Sequence, residues 1–147
     1  MKHNLILKVV SKFLIPLIFL FALYVQFHGD FGPGGGFQAG VIFSAAIILY
    51  ALVFGVDMAK QVISPNILRV LASLGVLIYA GTGVATLLLG GKYLEYGVLG
   101  SSQVAGQHLG ILVIELGVGI TVMAVMLIMF FAFAERGQPE EDDEGNQ

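Results

Sequence analysis

Two stretches of this chain are as long as a membrane-spanning helix and contain no charged residue. They are 37–56, with 20 residues, and 70–91, with 22. A helix needs about 20 apolar residues to cross the hydrocarbon core of a bilayer. A third stretch, 96–134, contains one charged residue, Glu115. The whole chain is 57% hydrophobic and 12% charged, which excludes an ordinary water-soluble enzyme domain, because such domains carry about 25% charge.

The first span is less distinct. Its uncharged part, 13–27, has only 15 residues, so we expect the helix to begin near Leu5. Lys8 and Lys12 would then share one helical face and extend to the membrane surface as anchors. Pro16 would either kink this helix or end its first turns. A signal peptide is the alternative interpretation, but no small-x-small cleavage site follows the apolar run.

These patterns predict an all-α membrane protein. Residues 1–134 would form one domain of four transmembrane helices, with spans at about 5–27, 37–56, 68–89 and 109–133. Ser64-Pro65-Asn66 is typical of a turn, after which the third helix would start near Ile67. The polar residues 135–147 form an acidic tail, which we expect to be disordered.

Lysine and arginine residues indicate the orientation, because they concentrate in short cytoplasmic loops. Four spans with both termini in the cytoplasm leave only Lys92 outside. Six basic residues are then inside: Lys2, Lys8, Lys12, Lys60, Arg69 and Arg136. We therefore predict that the N-terminus, the C-terminus and the acidic tail are cytoplasmic.

The segment between the first two spans is rich in glycine. It runs His28-Gly-Asp-Phe-Gly-Pro-Gly-Gly-Gly-Phe-Gln-Ala-Gly40. It is not a Walker A loop, since the Lys and Ser/Thr are missing, and no strand precedes it as in a dinucleotide fingerprint. Pro33 suits a first helical turn. The three glycines Gly34, Gly35 and Gly36 leave the backbone bare, so that a neighbouring helix, water or a cation could approach it.

A second pattern overlaps the first. Small residues recur every four positions at Gly32, Gly36, Gly40 and Ser44, which gives the second helix one face for close packing. A packing face is the favoured interpretation of this seam, and a binding site is the alternative. Phe37 is either an interfacial aromatic or a plug over the bare backbone. Gln38 could hydrogen-bond across helices or line a wet path.

Glu115 is the only acid with long apolar stretches on both sides. If the fourth helix starts near Leu109, this carboxyl group lies about 9 Å along it. There it must find a partner, meet water or stay protonated. It is therefore either part of an ion or proton route, with Na+ bound transiently near it, or a structural hydrogen bond between helices. By the predicted topology it shares the outer half of the membrane with the glycine-rich segment, which would form a vestibule with a carboxylate at its floor.

Other polar groups offer less. His108 lies seven residues before Glu115 on the same helical face, but a surface histidine is the favoured interpretation. His28 and Asp30 could meet the glycine segment or be solvated. With no cysteine and no ligand spacing, no metal site or cofactor is predicted, and no basic stripe indicates a nucleic acid. A single intramembrane carboxylate is too few for coupled transport by one chain, so we expect one small subunit of a larger membrane complex.

These residues resemble a known family. His-x-x-x-x-Pro-Gly-Gly-Gly-Phe-x-x-Gly, from His28 to Gly40, resembles the B subunit of Mrp-type multisubunit sodium/proton antiporters. Ile114-Glu-Leu-Gly-Val118 is similar to an acid-hydrophobic-Gly-Val stretch in the last span of that family. The order of motifs, the number of spans and the length also agree, so the resemblance covers the chain up to the tail. The motif positions carried over are Pro33, Gly34, Gly35, Gly36, Phe37 and Glu115.

The resemblance implies a secondary transporter subunit, not an enzyme, in a bacterial or archaeal cell membrane. The complex would exchange cytoplasmic sodium for external protons, driven by the proton gradient. Its other members would be two large antiporter-like subunits, related to the membrane arm of respiratory complex I, and several small subunits. His28 departs from the family, because two extra residues separate it from the proline, and the family commonly has Asp where this chain has Glu115. The alternatives are a purely structural assembly subunit, whose glycine face docks a partner helix, and the similar subunit of a membrane-bound hydrogenase.

Overall fold

The computed structural model describes residues 2–29 and 34–136, with side chains from residue 5 onward. Five α-helices occur in these ranges: α1 Lys2–Phe27, α2 Gly36–Phe54, α3 Val56–Val62, α4 Pro65–Leu88 and α5 Gln103–Arg136; a 3₁₀ turn, Tyr96–Leu99, precedes α5. Four of them are long and apolar enough to cross a membrane, which confirms the predicted fold class. The predictions for Asp30, Gly32, Pro33 and the tail beyond residue 136 lie outside the described residues.

The four long helices pack side by side in the order α1, α2, α5, α4. α5 is the central element, because it packs along both α2 and α4 and also touches the end of α1. Large apolar side chains are exposed on the outer faces of the helices of this layer. Such faces suit lipid or the helices of neighbouring subunits.

The two ends of the layer pack differently. The end that carries α3 has an ordinary hydrophobic core, made by Ile47, Ala51, Ala59, Leu68, Ala124, Leu127 and Phe131. The opposite half is held together by glycines on α2, α4 and α5 that allow backbone to approach backbone. The glycine-rich segment therefore adjoins the half of the molecule that has the fewest bulky side chains in its interior.

The helices differ in several details from the sequence predictions. α1 runs unbroken through Pro16, so the proline does not end its first turns. α4 begins at Pro65 because the Ser64 hydroxyl accepts a hydrogen bond from the Ile67 amide, and proline suits the first helical position. The predicted turn at 64–66 is therefore the cap and first turn of the helix.

α5 begins at Gln103, six residues before the predicted start. The Ser102 hydroxyl accepts a hydrogen bond from the Ala105 amide and caps this helix. Hydropathy missed the first two turns because they are polar, and a helix outside the hydrocarbon needs no apolar surface. Glu115 consequently lies about 18 Å from the start of α5, and not 9 Å.

The helices of the layer reach different heights. The first residue of α2, Gly36, lies against the backbone of Glu115. The C-terminal end of α1 and the N-terminal end of α2 therefore lie about 18 Å from the level at which α5 begins. α2 has 19 residues, or about 28 Å, which is just enough to cross about 30 Å of hydrocarbon. Glu115 therefore lies level with one end of the shortest span.

Candidate functional site

The carboxylate of Glu115 lies where α1 ends and α2 begins. A Cβ atom added at Gly29 would collide with both of its oxygens, and one added at Gly35 would lie 2.7 Å from Oε1. The glycine-rich segment and the single intramembrane acid, which the topology placed in one half of the membrane, are therefore in direct contact. Glycine at both positions leaves room for the carboxylate where it lies, because an added side chain would have to displace it.

Backbone conformation gives Gly34 and Gly35 a further reason to be glycine. Both have φ near 153°, a region that residues with a side chain rarely adopt. This conformation directs the chain into α2, whose cap residue Gly35 provides no side-chain hydrogen bond to the first turn. A carboxylate near a helix N-terminus is stabilised by about 0.3–1 kcal/mol through the helix dipole, which is a physical reason for Glu115 to lie here.

The predicted seam of small residues is a packing face within this chain. A Cβ atom at Gly36 would collide with the Glu115 carbonyl oxygen, and one at Gly40 would lie 2.6 Å from the Gly119 carbonyl oxygen. Ser44 is 1% exposed, and its hydroxyl donates to the Val41 carbonyl at 2.7 Å. α5 thus packs against this face at Gly36 and Gly40, whereas Gly32 lies outside the described residues.

Phe37 and Gln38 are both exposed at the start of α2. Phe37 is 60% exposed, as an interfacial aromatic would be. Gln38 is also exposed, and its Oε1 lies 3.9 Å from where a Cβ atom of Gly35 would be. Gln38 therefore borders the site from the outer surface of the layer.

The two described histidines are at the edges of this region. His28 stacks on Tyr24 with ring centroids 4.8 Å apart. His108 is exposed on α5, about 10 Å along the helix from Glu115. Within 2–29 and 34–136, no group of three or more His, Cys, Asp and Glu residues could hold a metal ion.

α4 holds the Glu115 turn of α5 from the opposite side. A Cβ atom at Gly75 would lie 2.6 Å from the Gly117 carbonyl oxygen and would collide with the Thr121 hydroxyl. That hydroxyl donates to the Gly117 carbonyl at 2.9 Å. The turn that carries the acid is therefore fixed between two helices at backbone distance.

Sequence reasoning missed three residues of this site: Gly29, Gln26 and Gly119. Gln26 is the second-last residue of α1, and its side chain is 6% exposed. Its Oε1 lies 2.6 Å from where a Cβ atom of Gly119 would be. The signals were present, since Gln26 interrupts an apolar run and Gly119 is one turn from Glu115, but only the packing of α1 on α5 brings them together.

Comparison with known proteins identifies the family of the chain. A family model described as a domain related to the MnhB subunit of Na+/H+ antiporter matches residues 6–128. The antiporter subunit mnhB2 of Staphylococcus aureus strain Newman is 34% identical over 134 residues, covering 84% of this chain and 94% of that protein. The mnhB2 proteins of strains JH1 and Mu3 match equally well. Because the family model spans most of the chain, including both the glycine segment and Glu115, this protein belongs to the family of MnhB-related Na+/H+ antiporter subunits.

Proposed function

We propose that this chain is a small integral membrane subunit of a multisubunit Na+/H+ antiporter, and that Glu115 and the glycine segment form part of its cation route. The observation that carries the proposal is the carboxylate itself. It lies against the backbone of Gly29 and Gly35, at the level of the N-terminal end of α2. The two glycines have no side chain that could cover it. A carboxylate in such a place can exchange a proton for a sodium ion.

The proton gradient would drive the exchange, and the bacterial or archaeal cell membrane would hold the complex. Large antiporter-like subunits and other small membrane subunits would cover the apolar faces of the layer. The chain would act as a component of this transporter and not as an enzyme. The broad apolar faces also support a role in assembly, because they offer neighbouring helices two surfaces.

An orientation with both termini in the cytoplasm belongs to the same proposal. The structure describes six Lys and Arg side chains, and only Lys92 lies at the end of the layer opposite α3. The other five lie at the α3 end: Lys8, Lys12, Lys60, Arg69 and Arg136. The positive-inside rule then puts α3 in the cytoplasm and opens the Glu115 site to the outside.

The test is the exchange of Glu115 for Gln in the assembled complex, measured as Na+-dependent collapse of a proton gradient in everted membrane vesicles. We expect Glu115→Gln to abolish exchange, because an amide cannot take up and release a proton near neutral pH. Glu115→Asp should retain exchange, since it keeps the carboxylate. Glu95→Gln is the matched control, because Glu95 lies in the loop between α4 and α5 and should not matter.

Co-purification of the other subunits with each variant separates transport from assembly. If Glu115→Gln assembles and keeps both the rate and the pH profile of the unchanged protein, the role in the cation route is wrong. A purely structural role would then remain. A complex that contains hydrogenase subunits would instead identify the redox-driven alternative.

A further inference from the structure

Lys8 and Lys12 are two basic side chains on one face of α1. They lie four residues apart, and both are exposed. Within the described residues the one ion pair joins Lys60 to Glu135, so neither lysine of α1 is paired with a carboxylate there. Like charges four residues apart on a helix repel each other, so an anion that binds between the two ammonium groups stabilises this arrangement.

The depth of these lysines follows from the contact of Lys12 with α2. Its Nζ atom lies 5.9 Å from the centroid of the Phe54 ring, and Phe54 is the last residue of α2. Because α2 is about 28 Å long, this residue lies at the edge of the hydrocarbon core. Lys8 is one helical turn, or about 6 Å, further from the bilayer centre. The headgroup region is about 5–8 Å thick on each side, so the two lysines cover the depth of the lipid phosphates.

Two aromatic side chains position Lys12. Phe54 packs against Tyr50 with ring centroids 4.8 Å apart, and both rings are half-buried on α2. A ring face attracts an ammonium group, but the three N–H donors of that group make stronger hydrogen bonds to anionic oxygens. The rings therefore fix the place of the charge and leave its strongest interaction to a ligand.

The surroundings of the two lysines favour a lipid over a soluble anion. Leu5, Val9 and Phe13 flank the lysines and are exposed. Acyl chains cover such side chains, whereas an inorganic ion does not. The acidic residues 140–144 of this chain also offer negative charge, but they too would leave the apolar side chains uncovered. An anionic headgroup fits better than a zwitterionic one, because choline or ethanolamine would bring a further positive charge to the lysines.

We propose that Lys8 and Lys12, together with the Tyr50–Phe54 pair, form a binding site for the phosphate of an anionic phospholipid such as phosphatidylglycerol. The phosphate oxygens bridge the two ammonium groups through charge-assisted hydrogen bonds, and the acyl chains lie along the apolar surface of α1. The lipid belongs to the leaflet at the α3 end, which is cytoplasmic in the orientation proposed above. The inference goes beyond the cation route, because Glu115 lies at the opposite end of the layer.

A bound lipid should stabilise the contact between α1 and α2, since Lys12 touches both the headgroup and the ring of Phe54. The experiment therefore titrates phosphatidylglycerol against the melting temperature of the complex purified in mild detergent. We expect a saturable rise that phosphatidylcholine at equal concentration does not produce. Each lysine near an anionic lipid contributes about fivefold in affinity. Lys8→Gln combined with Lys12→Gln should therefore raise the half-maximal concentration of phosphatidylglycerol roughly 30-fold.

Two further variants serve as controls. Lys8→Arg combined with Lys12→Arg keeps both charges and should bind at least as tightly, because arginine also donates to phosphate. Lys92→Gln removes one positive charge at the opposite end of the layer and should leave the half-maximal concentration unchanged.

Four results would overturn the site. The first is an unchanged half-maximal concentration in the double glutamine variant. The second is an equal rise in melting temperature with inorganic phosphate alone, which needs no acyl chain. The third is a response to phosphatidylglycerol that appears only after residues 137–147 are removed, because the acidic tail would then occupy the lysines. The fourth is loss of other subunits from the double variant with its lipid response intact, which would identify a carboxylate of a partner subunit as the ligand.

A second measurement applies if the double variant does not assemble. A photoactivatable phosphatidylglycerol is crosslinked to the unchanged complex, and the labelled residues are identified by peptide mapping. Labelling within 5–13 or 50–54 supports the site, and labelling confined to other parts of the chain overturns it.

Discussion

Replacing Gly36 with alanine tests the close approach of α2 and α5 that places the carboxylate. The added Cβ atom would collide with the Glu115 carbonyl oxygen and lie 2.7 Å from its carbonyl carbon. That separation is about 0.7 Å short of the 3.4 Å at which ordinary contact begins. The obstacle is backbone in the middle of a helix, so no side-chain rotation relieves it, and α2 must move away from α5.

The expected cost follows from this geometry. Overpacking of a well-packed site costs about 1–3 kcal/mol, and we expect the upper part of this range because both partners are backbone. Gly81→Ala is the matched control: Gly81 lies on α4 with nothing within 4 Å of an added Cβ atom. There alanine should be neutral or improve helix propensity by up to about 1 kcal/mol. For a chain of this length, 1 kcal/mol shifts the melting temperature by roughly 2–4 °C.

The assay is the melting temperature of the complex in mild detergent, followed together with co-purification of its subunits. We expect Gly36→Ala to melt roughly 5–10 °C below Gly81→Ala and to lose exchange activity, because Gly35 and Glu115 would separate. Equal melting temperatures with exchange intact would refute the claim that glycine is needed here for close packing.

Two further predictions concern the loop between α4 and α5. The buried Thr86 hydroxyl accepts a hydrogen bond from the Leu94 amide at 2.9 Å, and Leu94 has a positive φ of 62°. Thr86→Val should therefore increase amide hydrogen exchange at residues 89–95 and lower the free energy of unfolding by about 1 kcal/mol. Exchange rates equal to those of the unchanged protein would contradict this. Burial, and then the charges of Tyr79 and Tyr93, raise the pKa of Tyr96 above its usual 10.0. The unfolded tyrosine ionises first, so this contribution to stability is complete below about pH 10 and is lost as the pH rises through the folded pKa. Tyr96→Phe should therefore lose less thermal stability than the unchanged protein between about pH 8 and pH 11, and parallel losses would exclude the effect.

The four spans could be predicted because bilayer thickness fixes the length of an apolar run. The contact between Glu115 and the glycine segment followed from topology, since the end of α1, the start of α2 and the first half of α5 lie on the same side. The start of α5 was misplaced because Gln103 and its neighbours are polar, although Ser102 is a recognisable cap. Hydropathy reports where a helix meets lipid and not where it begins.

Gln26 and Gly119 could not be predicted as a pair. Their contact depends on how far α1 slides along α5, and no local pattern fixes the offset between helices that are distant in the chain. The helix that packs against the glycine seam could not be predicted either, because any helix can pack against a face of small residues. Glycines on α5 identify this partner only after the packing of α2 against it is known.

The unequal heights of the helices have a consequence for the surrounding lipid. The apolar part of α5, 109–133, measures about 38 Å, whereas α2 measures about 28 Å. Lipid that matches the apolar length of α5 cannot also match α2, so hydrophobic mismatch penalises an unoccupied space above the start of α2. A neighbouring subunit or a thinned leaflet must fill this space, and whichever does so controls how water reaches Glu115.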